Sequence, residues 1–224
     1  MPEVMLIDVK MFADQAVYEK AMELVLPQRR KIIARLKNPT AAARSLGAGV
    51  LLSIALSQYG ISEKAIEIET LPHGKPYIPG DFFHFNLSHS GDYALCVYDD
   101  APVGCDVQIL KQTLPKGLER ILSPEEMAFL FALDENGRIA AFFRIWSRKE
   151  SLLKQEGSGL QISLSDISVI KNGIFMDELL FHGKHIFFRE YQEWMPEYAV
   201  CVCGESRKFP VKINKITAEI LTKY

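Results

Sequence analysis

Two stretches 105 positions apart carry nearly the same strand, Tyr93-Ala94-Leu95-Cys96-Val97 and Tyr198-Ala199-Val200-Cys201-Val202. An offset of almost half of the 224 residues suggests a duplicated unit, two αβ halves with a site in the cleft between them. The alternative is that two buried strands arrived independently at the same few residues, and so short a match leaves both readings open. The expected architecture is α+β: pseudo-symmetric halves, 1–102 and 103–224, each with a small antiparallel sheet packed on helices.

Hydrophobic residues make up 48% of the chain and charged residues 24%, enough for a sizeable core. A net charge of −2, from 26 basic and 28 acidic residues, creates no global field toward nucleic acid or anionic lipid, so neither is an expected partner. The start lacks the basic, apolar pattern of a secretory signal, and no run approaches the length of a membrane span. Cys96, Cys105, Cys201 and Cys203 form no Cys-x-x-Cys pair. Free thiols in the cytoplasm are the expectation.

Residues 4–9 read as a strand, and Asp14 caps a helix toward Pro27. Arg29, Arg30, Lys31, Arg35 and Lys37 fall on a short basic helix broken by Asn38-Pro39. Thr40 is the expected cap of a longer helix reaching Ser57, apolar except at Arg44. Segments 83–87, 93–98 and 103–109 predict an antiparallel meander. Ser123-Pro124-Glu125-Glu126 predicts a capping box, followed by a long helix over 139–155 ended by Gly157 and Gly159. Strand-like segments return over 162–202, and 216–221 closes with a short helix.

On a strand over 103–109, Asp106 and Gln108 share one face, which aims two oxygen ligands together. An ordinary exposed polar face is the commoner meaning of such a pair. On the 139–155 helix, Ile139, Phe142, Phe143, Trp146 and Leu153 form an apolar stripe with Glu150 at its edge. A carboxylate there needs a partner, a proton or a cation; Lys154, at i+4, is the plain structural partner. No P-loop or dinucleotide-type glycine loop is present. Ser88, His89 and Asp106 lack the Gly-x-Ser-x-Gly elbow of a hydrolase triad.

Gly104-Cys105-Asp106-Val107-Gln108 and Trp146-Ser147-Arg148-Lys149-Glu150-Ser151-Leu152-Leu153-Lys154 resemble the two signature motifs of the 4'-phosphopantetheinyl transferases. Gly74-Lys75-Pro76, Asn86-Leu87-Ser88-His89-Ser90 and Gln155-Glu156-Gly157-Ser158-Gly159-Leu160 are similar to further motifs of the surfactin-synthetase-type branch.

The resemblance implies an enzyme that moves the phosphopantetheine arm of coenzyme A to a serine of an acyl or peptidyl carrier protein. It implies Mg²⁺, and adenosine 3',5'-bisphosphate as the other product. Carried onto this sequence, Asp106, Gln108 and Glu150 would face the metal, Gln108 replacing an acidic residue common in that branch. Glu150 and Lys154 would act in catalysis, with Lys149 and Lys154 near the pyrophosphate. Lys75, Pro76, Ser88, His89 and Arg44 would hold coenzyme A, joined by the basic patch of Arg29 and Lys31 at the 3'-phosphate. Carrier docking would draw on Lys111, Lys116, Arg120, Met127, Phe129 and Leu130, although a helical core explains the last three equally well. A non-catalytic binder of coenzyme A or carrier is the competing expectation, and a monomer the expected state.

Overall fold

A computed structural model describes residues 1–62, 66–157 and 162–224. The first half runs β1 (Glu3–Asp8), α1 (Gln15–Leu24), α2 (Pro27–Ile33), α3 (Pro39–Gln58), two-residue strands β2 (Glu69–Thr70) and β3 (Pro76–Tyr77), β4 (His84–Ser90) and β5 (Tyr93–Asp99). The second runs β6 (Val103–Ile109), α4 (Pro124–Phe131), α5 (Glu135–Glu156), two-residue strands β7 (Ile170–Lys171) and β8 (Ile174–Phe175), β9 (Glu178–Phe181), β10 (Lys184–Glu190) and β11 (Tyr198–Gly204). β12 (Asn214–Ile216) and α6 (Ala218–Leu221) follow.

Two four-stranded sheets form, in the orders β12-β1-β5-β4 and β6-β11-β10-β9. Within them β1-β5-β4 and β6-β11-β10 are the same antiparallel arrangement. The echoed strands β5 and β11 therefore hold equivalent places, in an α+β fold of two similar halves. The expected meander is corrected: β4 pairs with β5, but β6 crosses to β11 in the other sheet. The last segment also crosses back, since β12 runs parallel to β1 and Leu221 packs in the first core.

α3 carries that first core. Leu46, Val50, Ile54 and Leu56 are buried, and the helix packs on β1, β4 and β5. The expectation that no run approaches the length of a membrane span is corrected here: among the described residues α3 is the one helix long and apolar enough by length and composition, and 67% of that stretch is buried inside the fold. Its cap is Asn38 and not Thr40: the Asn38 Oδ1 accepts from the N–H groups of Thr40 and Ala41 at 2.9 and 3.1 Å. Pro39 then fills the first turn, where no amide donor is needed.

α5 starts a turn before its apolar stripe because Asp134 accepts from the Gly137 N–H at 2.7 Å. Residues 134–137, ahead of the helix expected over 139–155, are thus its cap and first turn. Gly157 ends the helix with φ 87°; Gly159 lies outside the described residues. The capping box at Ser123 and Glu126 forms as expected. A third apolar cluster joins the halves, with Val4, Leu6, Leu95 and Val97 of one sheet against Cys105, Val107, Val200 and Val202 of the other. Val103, Cys105 and Val107 of β6 are committed to that cluster, so the even-numbered residues between them face α5.

Candidate active site at the seam of the two halves

The closest approach of α5 to β6 is at Gly104. A Cβ there would stand 2.0 Å from the Ser151 carbonyl oxygen and 2.6 Å from the Gln155 nitrogen, so only hydrogen fits between strand and helix. Next along the same face comes Asp106, with no exposed surface, and then Gln108. From the helix side, Glu150 and Lys154 flank the Ser151 contact.

Asp106 is closely held. Lys154 Nζ lies 2.6 Å from Oδ1, Ser88 Oγ donates to the same oxygen at 2.8 Å, and Gln108 Nε2 donates to Oδ2 at 2.9 Å. Lys154 also donates to Ser88 Oγ at 3.1 Å and to the Cys105 carbonyl at 3.3 Å. Lys154 therefore pairs across the seam with Asp106, and the local pairing with Glu150 considered from sequence is not its salt bridge. Burial works against the ammonium, but the Asp106 carboxylate outweighs it and holds Lys154 above the ordinary lysine range. Glu150 moves the same way for a different reason. Burial raises its pKa, Lys154 pulls it down, the Asp106 charge pushes it up, and the net direction is upward.

The first half supplies the opposite wall. Glu150, Leu153, Lys154 and Gly157 share a cavity of about 230 Å³ with Lys75, Pro76, Asn86 and Leu87. Lys75 Nζ donates to the Gln155 carbonyl at 2.8 Å, and burial lowers its pKa to about 8. The same half also carries Arg29 on α2, Arg44 on α3 and His89 on β4. Burial lowers the His89 pKa, and the nearby charges of Arg44, Lys154 and Arg29 act in the same direction. The Arg44 Nε is buried without a hydrogen-bond partner. A histidine whose proton is disfavoured by burial and by neighbouring cations, beside a buried arginine with an unpartnered Nε, is suited to a polyanion such as a phosphate ester.

Two expected site residues lie elsewhere. Lys149 is fully buried inside the second half, where Nζ pairs with Glu126 at 2.5 Å and donates to the carbonyls of Ile121 and Leu164. It is one residue from Glu150, a rotation of about 100° on a helix, and so faces the core instead of the cleft. The basic patch on α2 also divides: Arg29 turns toward Gly49 on α3, Arg30 donates to the carbonyls of Glu23 and Val25, and Lys31 is exposed. Ser88 is in the seam, but its hydroxyl is engaged by Asp106, Val107 and Lys154. Leu130 is core, with Met127 and Phe129 packed against it. Of the docking candidates, Lys111, Lys116 and Arg120 are exposed.

Sequence reasoning gave no role to Asn86, which lines the cavity and accepts from the Cys105 N–H at 3.0 Å. The available signal was polar alternation, Asn86, Ser88 and Ser90, in a strand otherwise destined for burial. A larger cavity of about 610 Å³ adjoins Arg148, Glu190 and Arg207, where Arg148 is paired with Glu190 and Arg207 with Glu178.

The profile of the 4'-phosphopantetheinyl transferase superfamily matches residues 102–203. The 4'-phosphopantetheinyl transferase Sfp of Bacillus subtilis (strain 168) is 33% identical over 207 residues, covering 91% of this chain and 92% of that protein. The chain belongs to the 4'-phosphopantetheinyl transferase family. The transferase psf-1 of Bacillus pumilus is 35% identical over 207 residues, 90% of this chain and 88% of its own. The family match begins one residue before β6 and takes in α5 and nearly all of β11, so it spans the Asp106 and Glu150 side of this transferase's cleft.

Among the described residues no three His, Cys, Asp or Glu side chains cluster as a metal site. The seam offers two carboxylates and one amide. That set fits Mg²⁺, which takes one or two protein carboxylates and completes its octahedron with substrate phosphates and waters. With Gln108 Nε2 turned to Asp106, its Oε1 is the remaining protein oxygen.

Proposed function

We propose that this phosphopantetheinyl transferase works with Mg²⁺ on coenzyme A held across the seam, and modifies a serine of an acyl or peptidyl carrier protein. The serine Oγ attacks the β-phosphorus of coenzyme A. The new Oγ–P bond replaces the bond to the bridging oxygen, and adenosine 3',5'-bisphosphate departs. The observation that carries this reading is a buried Asp106 paired with Lys154, whose cavity also brings Glu150 together with Lys75 of the other half.

Asp106 and Glu150 would hold the Mg²⁺, with Gln108 Oε1 or a water completing the protein side. The metal supplies positive charge to neutralise the pyrophosphate. Glu150 takes the serine proton, directly or through a water. Burial raises its pKa, and Asp106 is already engaged by Lys154, so Glu150 is the carboxylate assigned to proton transfer. Lys154 keeps Asp106 neutralised before substrate arrives, and its charge remains within the cleft as negative charge grows on the leaving phosphate. Arg44, His89, Lys75 and Arg29 orient the phosphates.

Residues 1–102 and 103–224 serve as the two halves, the end of the chain reinforcing the first. A cytoplasmic monomer is the reading for location and assembly; four buried free thiols and a cleft composed within one chain support it.

The test is mass spectrometry of an apo carrier protein after incubation with the transferase, coenzyme A and Mg²⁺, with an EDTA control. A Mg²⁺-dependent gain of one phosphopantetheine arm is expected. Glu150→Gln should lower turnover by roughly 10²–10⁴-fold while coenzyme A still binds. Full activity in that variant, or in EDTA, would overturn the assignment.

A further inference from the structure

β4 and β6 are edge strands of different sheets, and they meet at the seam. β6 pairs with β11 on one side only. On its other side the N–H groups of Cys105, Val107 and Ile109 need acceptors, because an unpaired buried amide is destabilising and an open edge invites foreign pairing. Side chains supply them. Asn86 Oδ1 accepts from Cys105 at 3.0 Å, Ser88 Oγ from Val107 at 3.2 Å, and Ser90 Oγ from Ile109 at 3.1 Å. Alternate residues of one strand meet alternate amides of the other at a constant offset of 19 positions. Such a ladder fixes register, and a one-residue slip would turn Asp106 and Gln108 away from the cleft.

The middle rung reaches the chemistry as well. A serine hydroxyl has one donor and two lone pairs. Ser88 accepts from Val107 and Lys154 and sends its hydrogen to Asp106, so its donor and both lone pairs are engaged within the protein. We infer that Ser88 is a positioning residue: flanked by the Asn86 and Ser90 rungs, it locks β6 to β4 and orients the Asp106 carboxylate for the cation. The half that grips coenzyme A thereby sets the carboxylate geometry of the other half. This rests on the proposed Mg²⁺-dependent transfer in the same cleft.

Ser88→Ala, Ser88→Thr and Ser90→Ala distinguish the possibilities. Three quantities are compared with wild type: Mn²⁺ binding by electron paramagnetic resonance with coenzyme A present, backbone amide exchange by NMR, and steady-state kinetics. Ser88→Ala should speed exchange at Val107 at least tenfold, weaken Mn²⁺ at least fivefold and lower kcat at least tenfold, with KM for coenzyme A within twofold. Ser88→Thr, which keeps the hydroxyl, should restore Mn²⁺ affinity and kcat. Ser90→Ala should speed exchange at Ile109 and leave Mn²⁺ affinity unchanged.

Wild-type Mn²⁺ affinity and Val107 exchange in Ser88→Ala would overturn the proposal. So would a loss confined to coenzyme A affinity, which would make Ser88 a substrate ligand. If Ser88→Ala fails to fold, the wild-type protein decides: a Val107 amide as slow to exchange as Val200 supports the ladder, and one exchanging at an open-edge rate refutes it. Absence of Mn²⁺ binding and transfer in the wild type, with Val107 protected, would sink the metal-dependent reading and leave the ladder standing.

Discussion

Lys75 begins to lose its proton near the pH at which the cleft must bind phosphate. Burial places it at about 8, and the neutral amine no longer attracts coenzyme A. The value of kcat/KM for coenzyme A is therefore expected to fall as pH rises through about 8. The corresponding fall in kcat should come at higher pH, because bound phosphate favours the ammonium. A pH–rate series checks this, and Lys75→Arg should remove the alkaline limb in kcat/KM. Lys149 carries the opposite lesson, a conspicuous cation whose work is structural. Lys149→Met strands Glu126, itself fully buried, and is expected to cost about 3–5 kcal/mol in urea unfolding. The folded fraction should keep its KM for coenzyme A.

Between elements, the decisive contact is a helix resting on a strand with no side chain between them. Gly104→Ala drives a methyl into the backbone of α5, and backbone cannot rotate aside as a side chain can. A loss at or above the upper end of roughly 1–3 kcal/mol is expected, together with a fall in kcat, since lifting α5 separates Glu150 and Lys154 from Asp106. Thermal unfolding and single-turnover rates on the same sample measure both. The strand pairing at this scale was misread from sequence for a physical reason. Consecutive segments with short turns usually pair, and nothing local in residues 99–102 reports that the next strand joins another sheet.

At the scale of the whole molecule, the halves share a buried apolar core, and β12 returns to the first sheet. They are expected to unfold together. Leu95→Ala, in the first sheet, should destabilise by about 2–5 kcal/mol. The urea midpoint seen by tryptophan fluorescence, from Trp146 and Trp194 in the second half, should shift with that seen by far-ultraviolet circular dichroism. Two separated transitions would show independent halves. A cleft with one wall from each half gains from this coupling, because relative motion would change the distance between the cationic wall and the carboxylates.

Local and periodic information determined much of this protein from sequence alone. Asp106 and Gln108 share a face because strand side chains alternate, Glu150 stands at the edge of a stripe because helices turn every 3.6 residues, and Ser123 with Glu126 forms a box within four positions. The echo of β5 in β11 raised two halves as one of two readings, and motif resemblance foretold the family. Tertiary structure alone decided which partner each charge takes. It gave Lys154 to Asp106 and Lys149 to Glu126, and it made the Asn86, Ser88 and Ser90 side chains acceptors for another sheet's edge. Those choices depend on which surfaces come within about 3 Å after packing, a distance that spacing along the chain does not encode.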